Sequence, residues 1–138
     1  MENAMRPKNL LRPVPLLLVV LALSVSSFAK RVAPPKVTPI TVGDITYSAP
    51  TENMGYVEAR NAKTGDLLWA RQIYVVVKHP DLEEDVQDVF ISKLERNGDT
   101  LVITNEVGSE FNLDLASLEV KTIKGSVRVE QKEEKLLR

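Results

Sequence analysis

The sequence predicts a small antiparallel all-β domain, and three observations carry that prediction. β-Branched residues and alternation of apolar with polar side chains dominate from residue 40 to 124, the pattern of half-buried strands. Gly43, Gly55, Gly65, Gly98, Gly108 and Gly125 stand singly between the alternating stretches, where turns need them. Helical periodicity is confined to one short segment. The expected architecture is a meander of about seven to eight strands with one short helical turn, as an open sheet, a sandwich or a partial barrel.

The N-terminus has the layout of an export signal. Arg6, Lys8 and Arg12 stand against one acid, Glu2, and Val14 to Ala29 carries no charge. The apolar core Leu16 to Leu23 gives way to Ser24, Ser26 and Ser27, and then to Ser27-Phe28-Ala29, small residues of the kind that signal peptidase reads. Residues 1–29 are therefore expected to be a signal peptide cut after Ala29, and the chain periplasmic or secreted. The alternative is a retained anchor, but the uncharged run is 16 residues including Pro15, short of the roughly 20 that span a bilayer. Residues 30–39, KRVAPPKVTP, with three prolines and three basic residues, read as a linker.

The mature part begins with short strands at Ile45 to Ser48 and Tyr56 to Arg60, a turn at Lys63-Thr64-Gly65-Asp66, and the long apolar run Leu67 to Val77. That run reads as one strand covered on both faces, with Leu67, Trp69, Ile73 and Val75 in the core and Tyr74 and Val76 facing the other way. Pro80 to Gln87 is the one helical candidate, with Pro80 at its first position and Asp81, Glu83 and Glu84 in its first turn; Leu82 and Val86 are spaced to dock together. Val89 to Glu106 reads as a hairpin about Asn97-Gly98 in a type I′ turn, which needs two residues of positive φ. Phe90, Ser92 and Leu94 are expected on one face, and Leu101 and Ile103 opposite to Thr100, Val102 and Thr104. Phe111, Leu113 and Leu115 alternate in the next strand, and Leu118 to Thr122 forms another. The expected divisions are 1–29 signal peptide, 30–39 linker, 40–124 β domain and 125–138 charged tail, the last an edge strand followed by a frayed helix.

The domain contains an internal repeat. Gly55-YVEARNAKTGDLLW aligns with Gly108-SEFNLDLASLEVKT at a spacing of 53 residues, with Asn61 over Asp114, and Gly43-Asp44 and Gly98-Asp99 precede the two copies at similar distances. The repeats cover 43–77 and 89–123. The first copy, Gly55 to Trp69, resembles the β-propeller repeat of quinoproteins (the PQQ type), whose pattern runs Gly, strand residues, Ala-Leu-Asp, a turn with Thr-Gly and a closing Trp. Here Arg60-Asn61 replaces Leu-Asp. The second copy keeps Asn112-Leu113-Asp114 but has Ser117-Leu118 in place of Thr-Gly and no Trp. The mature chain is also similar to small exported bacterial proteins of unassigned function carrying the segments seen here at Gly55 to Trp69 and Leu82 to Ile91. The resemblance implies export and a propeller-like strand unit. Two repeats fall short of the roughly four blades that close a channel, so no quinone or other cofactor is expected.

Composition narrows the chemistry. Removing the signal segment leaves 15 basic and 18 acidic residues, without the basic surplus that a nucleic-acid binder needs. There is no cysteine, hence no disulfide framework, thiolate metal site or catalytic thiol. His79 is the only histidine, so a zinc site would need carboxylates around it alone. The serines lie outside any Gly-x-Ser-x-Gly elbow. Asp81, Glu83, Glu84, Asp85 and Asp88 lack the spacing that curls a loop around Ca²⁺ and read as a solvated face. The expected function is that of an exported, non-catalytic binding or accessory domain of the cell envelope, its partner an unspecified protein or small ligand. No nucleic acid is expected, and membrane contact only through the signal segment before cleavage. The alternatives are a small periplasmic hydrolase using His79 with Glu83 and Asp85, and a propeller completed by oligomerisation. No catalytic, cofactor-binding or metal-binding residue is assigned.

Overall fold

The computed structural model describes residues 32–34 and 36–132; the expected signal segment and residues 133–138 lie outside them. Among the described residues the fold is all-β, with ten strands. β1 (Ile40–Val42), β2 (Ile45–Ser48), β3 (Tyr56–Asn61) and β4 (Leu67–Gln72) form one antiparallel meander, and β6 (Ile91–Asn97), β7 (Thr100–Asn105), β8 (Glu110–Asp114) and β9 (Val120–Lys124) form a second. β5 (Val75–Val76) and β10 (Arg128–Val129) leave the two meanders and pair in parallel, Val75 with Arg128 and Val76 with Val129. Those partners are 53 residues apart, the spacing of the sequence repeat.

The two meanders agree turn by turn. Gly43-Asp44 links β1 to β2 and Gly98-Asp99 links β6 to β7, as two-residue loops with Val42 opposite Ile45 and Asn97 opposite Thr100. In each, glycine alone has positive φ, +61° and +59°, the signature of a II′ rather than a I′ turn. The expected turn about Asn97-Gly98 is therefore shifted by one residue, and Asn97 is the last residue of β6. The longer turns match bond for bond. The side-chain Oδ1 of Asn61 accepts from the N–H groups of Lys63 and Thr64, and Oδ1 of Asp114 from those of Ala116 and Ser117. The carbonyl of Asn61 accepts from Gly65 and that of Asp114 from Leu118, both at 2.8 Å.

Beyond the turns the meanders differ in which face they bury. In the first, Tyr47, Val57 and Ala59 point into the core, with Ile45 and Trp69 packed against it; in the second, Leu101, Ile103, Phe111 and Leu113 do. By the shared turns, Glu58 corresponds to Phe111, Arg60 to Leu113, Val57 to Glu110 and Ala59 to Asn112. Polar and apolar positions are interchanged. Like units thus share one core through unlike faces, a relation that a two-fold axis between them does not give. The outward faces are Thr46, Ser48, Glu58 and Arg60 on one side and Thr100, Val102, Thr104, Glu110, Asn112 and Asp114 on the other, none fully buried.

The run Leu67 to Val77 departs from its expected form. β4 ends at Gln72 and lies at the edge of its sheet, with Leu67 51% and Val75 44% exposed. An edge strand has only one neighbour, so its apolar content does not imply cover on both faces. Trp69 is half-buried; its ring stands 5.8 Å from that of Tyr47, the two meeting across Ala59, whose small side chain occupies the middle of that row. Ile73 and Tyr74 are both buried although adjacent, because the chain leaves the sheet there and donates its two N–H groups to the Gly55 carbonyl. The Tyr74 ring stacks on Phe111 at 5.5 Å and its hydroxyl donates to the Val89 carbonyl at 2.6 Å, tying the meanders together. Such a stack contributes about 0.5–1.5 kcal/mol beyond the area it buries.

Two other expectations change. A register shift at Ser92 turns Ile91 and Leu94 inward together, so Phe90, Ser92 and Leu94 do not share a simple period-two face. The helical candidate at Pro80 to Gln87 is reduced to one 3-10 turn at Asp85–Gln87, and a second 3-10 turn lies at Thr51–Asn53 between β2 and β3. Leu82 is exposed. Within the segment expected as tail, Val129 is 4% and Gln131 8% exposed, so the chain packs on the core as far as there.

Candidate functional site

The residues weighed for chemistry converge on the loop between Lys78 and Asp88, and its organiser is Gln87. This side chain is buried, with Oε1 accepting from the His79 N–H at 2.6 Å and Nε2 lying 3.1, 3.1 and 3.0 Å from the carbonyls of His79, Leu82 and Glu83. It closes the loop from within. Lys78 pairs with Asp88 at 2.8 Å, and the amide of Gln131 donates to the Asp88 carbonyl at 3.0 Å. Sequence reasoning missed Gln87, since a lone amide in an acid-rich segment carries no pattern that sets it apart.

His79 serves this loop through its backbone. Its imidazole is exposed and stands 4.0 Å from the Glu130 carboxylate, itself exposed. Asp81, Glu83, Glu84 and Asp85 also lie at the surface. Serine hydroxyls are engaged in local structure: Ser92 donates to the Thr104 carbonyl, Ser117 to Asp114, and Ser126 accepts from the Arg128 N–H. Among the described residues no group of three or more His, Asp or Glu side chains could hold a metal ion, and no helix is long and apolar enough to cross a membrane.

The second surface is the edge strand β4. A bulge opposite Ala59 and Arg60 leaves Leu68 without a partner on β3, and Leu67 and Leu68 are 51% and 49% exposed. Arg71 is the one charge in this strand. The corresponding edge, β9, carries Lys121 and Lys124, the kind of charge that blunts an edge against pairing.

The third surface is a hollow of about 170 Å³ on the outward face of the second meander, lined by Thr100, Asn112, Asp114, Glu119 and Lys121. Strand register sets its plan. Thr100 lies opposite Asp114, whose N–H donates to the Glu119 carbonyl, and Asn112 lies opposite Lys121. The Asp114 carboxyl is held below its ordinary pKa of 3.8, chiefly by the Ser117 backbone N–H, then by the Ser117 hydroxyl and the Ala116 N–H, with a smaller effect from Lys121. The hollow therefore presents an anionic row beside an amide and a cation. The chain matches no protein-family model and no curated protein.

Proposed function

We propose that this chain is an exported, non-catalytic binding module of the cell envelope, built from two propeller-type repeats and contacting its partner along β4. The observation that carries the reading is the contrast between the two outer edges. β4 offers outward backbone groups beside half-exposed Leu67 and Leu68 with one charge, Arg71, whereas β9 sets two lysines, Lys121 and Lys124, on either side of its exposed Ile123. An open edge with apolar side chains takes an added strand, the main chain supplying affinity and the side chains selectivity. The matching turns and the parallel pairing of β5 with β10 support the propeller-type kinship, and the uncharged segment from Val14 to Ala29 supports export.

The test is a photo-cross-linking residue placed at Leu68, and separately at Thr122 on β9, in cells producing the full chain. The reading expects a discrete adduct from position 68, lost when Leu67 is changed to Lys, and none from position 122. Equal labelling from both positions, or none from either, contradicts it.

A further inference from the structure

The outward face of the second meander is where a third unit would pack if the array continued, because its positions correspond to the core face of the first. Ile45, Val57 and Ala59 there are replaced by Thr100, Glu110 and Asn112. The replacements leave side chains able to donate, accept and carry both signs of charge around one hollow of about 170 Å³, room for about five or six waters.

The charges are ordered. Asp114 and Glu119 sit in the row that begins at Thr100, while Asn112 and Lys121 sit in the row two residues along β8. Residues two apart on a strand are separated by about 7 Å. A small zwitterion, with its ammonium and carboxylate on one carbon and a charge-assisted hydrogen bond of about 2.8 Å at each end, has a reach of the same order as that backbone interval. The three intramolecular bonds to the Asp114 carboxylate all fall on Oδ1, so Oδ2 keeps its acceptor capacity. Lys121 forms no ion pair among the described residues.

We infer that this hollow is a binding site for a free α-amino acid or a similarly small zwitterion, with the ammonium on Asp114 and Glu119 and the carboxylate on Lys121 and the Asn112 amide. Thr100 adds a hydroxyl at the anionic end. The site is separate from β4, and either assignment stands if the other fails.

The test follows backbone amide resonances of the whole exported chain by NMR during titration with glycine, and with methylamine and acetate as probes of one charge each. The expected result is saturable movement of the Asn112, Ser117 and Lys121 amides with glycine, and binding of methylamine or acetate weaker by about tenfold or more. Glu119→Gln and Lys121→Gln, which leave the turn bonds of Asp114 in place, should each weaken glycine binding by a similar factor. Absence of saturable movement with glycine, equal response to acetate or methylamine alone, or unchanged glycine binding in both variants overturns the assignment.

Discussion

Leu118 holds φ at +60° in the turn position that Gly65 holds at +77° in the other meander. Both residues donate their N–H to the carbonyl four residues back, and in both turns a hydroxyl, from Thr64 or Ser117, accepts the next N–H, that of Asp66 or Glu119. The left-handed conformation costs a residue with a β-carbon roughly 1–2 kcal/mol, and Leu118 offsets this by packing against the core.

Truncation at this position should therefore reverse the usual preference for alanine over glycine. Leu118→Ala loses the packing and keeps the strain, whereas Leu118→Gly loses the packing and relieves it. The glycine variant is expected to be more stable than the alanine variant by about 1 kcal/mol, read as the difference in urea midpoint at unchanged slope.

Gly55 and Gly98 also have positive φ, but their surroundings differ. A β-carbon on Gly98 meets nothing within 4 Å, while one on Gly55 lies 2.5 Å from the Tyr74 carbonyl oxygen, the backbone next to the ring that joins the meanders. Gly98→Ala should cost about 1 kcal/mol from conformation alone. Gly55→Ala adds a clash with backbone and should cost about 3 kcal/mol or more. Thermal unfolding of the two variants side by side measures the difference.

Gln87→Met keeps the length of the side chain and removes the four hydrogen bonds that its amide makes inside the loop. With the N–H of His79 and three carbonyls left to find new partners in a partly buried loop, the expected loss is about 1–3 kcal/mol. Hydrogen exchange should rise at His79 and through the loop while remaining slow at Leu101, Ile103 and Phe111. Fast exchange throughout would mean that the loop is part of the global folding unit.

Asp114 makes stability depend on pH in one direction. Its pKa is lower in the folded chain than the ordinary 3.8, so its contribution is complete above the unfolded value and is lost as pH falls through the folded one, below 3.8. Asp114→Asn should flatten the acid limb of the stability profile below that pH and leave the neutral range free of any new pH dependence. An acid limb unchanged by the substitution contradicts the assigned role.

The turn at Lys63 to Asp66 was legible in the sequence because Thr-Gly-Asp has specific backbone and capping chemistry, whereas the turn after β6 lies one residue beyond Asn97-Gly98, since residue type alone does not separate a I′ turn there from the II′ turn that Gly98-Asp99 makes. The alternation that buries Leu101, Ile103, Phe111 and Leu113 was equally plain. The run from Leu67 to Val77 misled because hydrophobicity alone does not distinguish an edge strand with exposed leucines from a central one, and because Ile73 and Tyr74 are buried by a change of chain direction. The opposed faces escaped notice for a subtler reason. Aligning the repeats by their turns sets Glu58 over Phe111 and Arg60 over Leu113, a mismatch that looks like divergence until the structure assigns each row to a face. The hollow at Asn112 and Lys121 depends on cross-strand register, which no linear spacing displays.

Two like units, packed through unlike faces, leave the outer face of each meander largely polar. Four positions that are buried as Leu101, Ile103, Phe111 and Leu113 in one unit are Thr46, Ser48, Glu58 and Arg60 in the other, and burying that set against another copy would leave charges to be desolvated. Sedimentation equilibrium of the chain over a wide concentration range tests this most directly. A single species of monomer mass throughout is the expected result, and a closed assembly of two or more chains that forms with rising concentration would contradict the polar character of the outer faces.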